Sequence, residues 1–274
     1  MAIEPKARIL IITIFMICSI VALFAQDWEE INDGISFAKF KLSQKSEYSD
    51  SKVTIIKIDP AQFDFGIYCE TEYGPKRRNA EEWVEDLELN CVINAGMFQT
   101  DYLKGCGILK NYDHINNSIS AKDQNMYFVC NPKNDSLPEA QMIDIDEPNA
   151  VELMLQYHSV LQSIRMLSAD DRNVWSKQPN MWSEAAMGED KDGNILFIHC
   201  RSPYIMHDFI NEMMKLPINL QKMMHLEGGW EASLIVDFSD TQIREVGSFE
   251  TDCNESDDNQ SFYHLPNVIG VKKK

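Results

Sequence analysis

Residues 223–226 and 232–236 are two apolar runs of strand length, separated only by Glu227-Gly228-Gly229-Trp230-Glu231. Apolar runs this short, bounded by glycines and charges, read as buried strands rather than helices. This end of the chain is therefore committed to a sheet. Gly228 and Gly229 admit backbone angles closed to other residues and let a ligand approach the main chain. A strand that ends in glycines flanked by acids can set a carboxylate at a sheet edge, facing a cleft. The plainer alternative is a hairpin turn with solvated glutamates.

The same pattern recurs along the chain. Residues 53–58 read as a buried strand, and Phe63, Phe65, Ile67 and Cys69 alternate as in a half-buried one. Asn79 and Glu82 form a capping-box pattern opening a short helix through Leu87. Residues 91–93 run as a strand into a small-residue turn, Asn94-Ala95-Gly96-Met97-Phe98. Strands are expected over 106–109, 126–130 and 159–164, with a helix over 150–155. Glu184-Ala185-Ala186-Met187-Gly188, the Asp192-Gly193 turn and residues 195–198 signal a hairpin. Met206, Phe209, Ile210, Met213 and Met214 recur at helical spacing, predicting an amphipathic helix over 206–216 that Pro217 ends. The methionine stripe reads as core packing. A final strand covers 265–271. Strands outnumber helices and no strict βαβ repeat is visible. The expected fold is a single α+β domain on one large, mixed, twisted β-sheet with flanking helices.

Lys6, Arg8, an apolar run over 9–24 and then Ala25-Gln26-Asp27 have the layout of a secretory signal. The run is shorter than the ~20 residues of a membrane span. Residues 1–26 are thus expected to be a cleaved signal peptide, with 27–274 forming one domain; an uncleaved anchor is the alternative. The protein is expected to be exported, periplasmic or extracellular, with no stable membrane insertion after cleavage. The net charge of −18 repels nucleic acid and anionic membrane surfaces, so neither is an expected partner. Cys69, Cys91, Cys106, Cys130, Cys200 and Cys253 allow up to three disulfides or free core thiols. No ligand spacing typical of a metal site occurs, so no metal or other cofactor is expected.

Three strand-ending turns (94–98, 184–188 and 227–231) and Pro266-Asn267-Val268-Ile269-Gly270-Val271 occur in an order that resembles the phosphodiester glycosidase family. That family shows, in turn, an Asn-Gly-Gly turn, an Arg-Thr-Ala-Ile-Gly-like strand before an Asp-Gly hairpin, an Asp-Gly-Gly-Gly-Ser-Ser-like turn after a helix, and a closing Pro-Asn-Ala-Ile-Gly-Val-like strand. The resemblance spans roughly residues 53–271. It puts Glu184 and Ala185 where the family has arginine and threonine, Glu227 at its aspartate, and Glu231 and Ala232 at its serines. The resemblance implies a hydrolase acting on a glycosidic or sugar-phosphodiester linkage, with a carbohydrate or sugar-phosphate as its partner.

Cleavage of a sugar–oxygen bond commonly uses two carboxylates, one as acid and one as base or nucleophile. Glu227 with Glu184 or Glu231 can supply them, and Asn94 completes the candidate catalytic set. Gly96, Gly228, Gly229 and Asn267 are candidate substrate contacts, and Trp230 can stack on a sugar ring. Arg165 is the candidate cation for a phosphate; an ion-pairing arginine at the core edge is its alternative. His207-Asp208 reads as a helix cap, His199 as a core histidine, and His225 can face either side of its strand. The rival expectation is a non-catalytic exported carbohydrate-binding protein that kept the cleft, or an envelope scaffold without a small-molecule ligand.

Overall fold

A computed structural model describes residues 28–274; the expected signal segment, 1–26, lies outside the described residues. The chain begins with β1 (Glu29–Asn32), β2 (Ile35–Lys41), β3 (Lys52–Ile58) and β4 (Phe63–Cys69). Helices α1 (Glu70–Tyr73) and α2 (Ala80–Leu87) precede β5 (Cys91–Asn94), β6 (Leu109–Asn111) and β7 (His114–Asn117). Then come β8 (Met126–Pro132), β9 (Ala140–Asp144), α3 (Ala150–Met154), β10 (Tyr157–Ser163) and β11 (Arg165–Leu167). The long strands β12 (Met181–Asp190) and β13 (Ile195–Ile205) lead into α4 (Met206–Met213) and β14 (Leu220–Gly228). A single 3₁₀ turn, Gly229–Glu231, opens onto β15 (Ser233–Phe238), β16 (Thr241–Val246) and, last, β17 (Asn267–Lys273).

The α+β class is as expected, but the strands divide among three sheets instead of one. Their orders are β1-β2-β3-β13-β12-β14-β11, β7-β6-β10-β8-β9 and β16-β15-β5-β17-β4. Every strand pair among the described residues is antiparallel. All three sheets turn one face to a shared core, where Phe65 meets Phe128 and Phe197 at ring-centre distances of 5.9 and 6.3 Å. Each opposite face is covered by a helix. Alternate residues of one strand therefore enter different cores: Phe197 joins the shared one, while Leu196 and Ile198 pack under α4 with Phe209 and Met213. Val92, Ile235 and Val268 likewise lie under Trp83 of α2, and Val129 and Val160 under Met154 of α3. Burial on both faces is why these strands read as continuous apolar runs.

Local signals in the sequence map onto real elements. The side chain of Asn79 accepts from Glu82 N at 3.0 Å and Glu82 Oε2 accepts from Asn79 N at 3.0 Å, completing the capping box of α2. The methionine-striped helix stops at Met213, and its His207-Asp208 pair makes no side-chain cap. The strand expected over 106–109 starts at Leu109, because residues 97–108 form a loop instead. All six cysteines from Cys69 to Cys253 are free, so the disulfide alternative is not realised. Among the described residues, no helix is long and apolar enough to cross a membrane.

Candidate active site

The turn Gly229–Glu231 carries the chain from the seven-stranded sheet, at the end of β14, to β15 in another sheet. The junction needs glycine. Gly229 has φ +68°, and a Cβ there would lie 2.7 Å from Glu250 Oε2. A Cβ at Gly228 would meet the Trp182 ring at 2.6 Å, so the indole lies directly on the glycine backbone. Beneath the turn, Asn94 at the end of β5 donates from Nδ2 to Glu231 O (3.0 Å) and accepts from Ser233 N (2.8 Å). Ser233 Oγ donates to the same Glu231 carbonyl at 2.9 Å. Asn94 is buried and clamps the crossing between sheets.

A cavity of ≈ 460 Å³ opens above this junction. One wall is the loop after β5, with Met97, Phe98, Tyr102 and Cys106. The floor is Trp182 of β12 with His225, Glu227 and Gly228 of β14. Trp230, Glu231, Glu250 and Cys253 close the remaining side. Asn267 does not line it; its Nδ2 donates to Leu103 O (3.2 Å) and its Oδ1 accepts from Asn116 Nδ2 (3.2 Å). Asn116 also donates to Leu103 O and accepts from Gly105 N, so the two asparagines brace the loop that carries Tyr102. Asn94 and Asn267 thus act on this cavity from below, as supports.

Under the floor lies a buried polar pair. Glu184 is fully buried; its Oε2 accepts from Trp182 Nε1 at 2.8 Å and its Oε1 lies 2.7 Å from His225 Nδ1. A carboxylate only accepts, so Nδ1 carries the proton and Nε2 is the nitrogen left for a ligand. Among the described residues the ring's hydrogen bond is the one through Nδ1. The edges of Trp175 and Trp182 flank the imidazole at 5.8 and 6.2 Å. A register shift between β12 and β14 sets His225 opposite Ala186, on the sheet face that Glu184 shares two residues earlier, so the imidazole meets the buried carboxylate, while Glu227 opposite Ala185 lines the cavity.

The electrostatics follow from burial. Burial opposes a charge on His225, but the Glu184 carboxylate outweighs it and raises the histidine's pKa. Burial raises Glu184, with His225 and Trp182 pulling the other way. For Glu227 burial dominates; His225 and the Gly228 N–H (3.0 Å) oppose it, Glu231 and Glu184 add to it, and its pKa is pushed up to about 8. Glu231 is also raised, by burial first and then by Glu250 nearby. The thiols of Cys106 and Cys253 are raised by burial and neighbouring carboxylates, which makes either a poor nucleophile. A carboxyl protonated at neutral pH beside a second carboxyl is a set that can give and take protons at a sugar oxygen.

The sequence-derived site thus divides in three. Glu227, Gly228, Trp230 and Glu231 line the cavity, with Gly229 shaping the turn. Glu184, Asn94 and Asn267 lie beneath as supports. Gly96 (φ +74°) and Arg165 do not line it. Arg165 is held by Asp144 and, at 2.7 Å, by Asp146, the ion-pairing alternative. The Trp230 ring stacks on Tyr263 at a centroid distance of 5.5 Å. Sequence reasoning passed over Trp182, Tyr102 and Glu250, which belong to none of the turns that drew attention. Among the described residues, no group of three or more His, Cys, Asp or Glu side chains is placed to hold a metal ion.

Comparison with known proteins agrees with this architecture. Residues 88–272, more than half of the chain, match the phosphodiester glycosidase family, and the protein belongs to it. It is accordingly a glycosidase-type hydrolase by family, with a sugar-type substrate. In three dimensions it is similar to the catalytic domain of zebrafish N-acetylglucosamine-1-phosphodiester alpha-N-acetylglucosaminidase, auto-inhibited by its pro-peptide. That match has a TM-score of 0.62 at 10% identity and covers 92% of this chain and 87% of that one. A hypothetical protein from Synechocystis matches with a TM-score of 0.59 at 12% identity, over 90% of this chain and 64% of that one. No curated protein matches the sequence significantly.

Proposed function

We propose that this protein is an exported hydrolase that cleaves a glycosidic or sugar-phosphodiester linkage in an envelope or extracellular glycan, with Glu227 as general acid. The observation that carries the reading is the Glu227 carboxyl, pushed up to about 8 at the wall of a cavity that Glu231 also lines. Glu231 is the partner carboxylate that takes the proton of the attacking water. His225, fixed by Glu184, offers Nε2 to a sugar hydroxyl, and Trp230 and Tyr102 supply apolar faces for the ring. Export rests on residues 1–26, with their basic start and apolar run.

The test is turnover of a panel of glycans and sugar phosphodiesters by the wild type and by Glu227→Gln. Loss of a general acid costs roughly 10²–10⁴ in kcat, with KM little changed. Full activity in the variant, or no cleavage by the wild type, overturns the reading. Glycan binding without turnover, lost in Trp230→Ala and kept in Glu227→Gln, identifies the non-catalytic binding protein instead. Protein recovered outside the cytoplasm with an N-terminus at residue 27 is the expected result for export.

A further inference from the structure

We propose that the cavity selects an uncharged glycoside and rejects a sugar phosphodiester. This rests on the hydrolytic reading above and narrows its substrate. Among the described residues, the acidic side chains that line the cavity are Glu227, which holds its proton at neutral pH, Glu231 and Glu250, and neither lysine nor arginine lines it. The one lining base, His225, is tied through Nδ1 to the Glu184 carboxylate at 2.7 Å. Imidazolium and carboxylate together carry no net charge, so the pair cannot neutralise a phosphate.

The arginines of the surrounding sheets are committed elsewhere. Arg165 is held by Asp144 and Asp146. Arg201 donates to Asp257 Oδ1 at 2.6 Å and to the carbonyls of Val246, Asp257 and Asn259. Glu184, beneath the floor, is a fully buried carboxylate and adds no cation to the site. Its carboxylate instead holds His225 through Nδ1 and leaves Nε2 for a ligand.

What remains suits a neutral sugar. His225 is buried (4% exposed) and lines the cavity, and its ring bond to Glu184 uses Nδ1, so Nε2 can read one hydroxyl. Phe98 and Tyr102, in contact at 5.3 Å, and Trp230 give apolar faces to the C–H side of a pyranose. In the reaction, the bond between the anomeric carbon and the bridging oxygen breaks. Glu227 gives its proton to the leaving oxygen, water adds its hydroxyl to the anomeric carbon, and Glu231 takes the water's other proton. Exchange with solvent then restores both acids. A phosphodiester leaving group would bring a negative charge beside Glu231 and Glu250, with no lining cation among the described residues to meet it.

The test begins with the wild type. The purified protein is assayed on 4-nitrophenyl glycosides of neutral hexoses and N-acetylhexosamines, both anomers, each paired with the 4-nitrophenyl diester of the same sugar 1-phosphate. The expected result is a kcat/KM at least 100-fold higher for the best glycoside than for its matched diester, with the gap narrowing in 1 M salt. Glu250→Gln, which removes one like charge, is expected to raise the rate on the diester about tenfold. Equal or faster turnover of the diester overturns the charge assignment and leaves the hydrolase standing. Turnover of neither member of any pair overturns both.

Discussion

Glu227 shows how a single side chain links stability to function. An unfolded glutamate titrates near 4.5, and in the folded protein this one titrates near 8. Between those values the folded state holds a proton that the unfolded chain has released. The stabilisation is therefore complete below 4.5 and declines as pH rises through the window, and above about 8 the folded protein carries the full burden of a buried charge. Glu227→Gln keeps the shape and removes the titration. The variant is expected to match the wild type in Tm at pH 4 and to exceed it at pH 9 by at least about 2–4 °C, the shift that one kcal/mol gives a chain of this size. Thermal scans at the two pH values decide it; equal Tm at both would show that Glu227 ionises in the fold without penalty. The same proton serves catalysis, so activity that depends on it falls above pH 8.

At the scale of elements, the decisive feature is the junction between two sheets, and Asn94 is its clamp. Asn94→Ala leaves the fully buried Ser233 N–H without its acceptor, while Ser233 Oγ still serves Glu231 O. One unsatisfied buried donor costs about 1–3 kcal/mol. The expected outcome is a lower Tm together with a lower kcat, because the turn bearing Glu231 loosens. Asn94→Asp keeps the acceptor for Ser233 N–H but sets an oxygen where Nδ2 donates to Glu231 O, so it is also expected to lower Tm; wild-type Tm in both variants would refute the clamp. Asn94 was legible in the sequence as a residue of interest because it ends an apolar run at a small-residue turn. Its role was not, since nothing local says that Glu231 lies against it. The capping box of α2 and the stripe of α4 were likewise legible, being encoded within one or two turns of chain. The partition into three sheets was hidden, because a strand covered by a helix on one face and core on the other loses the alternation that would assign its faces. His225 was ambiguous for a related reason: the register shift that turns it toward Glu184 depends on pairing with β12.

For the whole molecule, the question is what holds three sheets together without covalent help. Exported small domains often rely on disulfides, but a chain of 274 residues buries enough apolar surface to stand without them. The thiols are distributed as core residues are. Cys69, Cys91 and Cys130 each come from a strand facing the shared core, Cys200 lies under α4, and all four are fully buried. Burial raises each of these pKa values, that of Cys130 to about 12, so none is a ready nucleophile at neutral pH. Cys253 is exposed and Cys106 partly so. Titrating residues 27–274 with a thiol reagent at pH 8 is therefore expected to give reaction first at exposed Cys253 and later at Cys106, both slowed by their raised pKa values. The other four should react only at the rate of unfolding. A strong reductant is expected to move Tm by less than about 1 °C, whereas loss of a structural bridge would cost about 2–5 kcal/mol and shift it far more. A large fall in Tm on reduction, or fewer than six thiols after denaturation, would mean that bridges and not the shared core join the sheets.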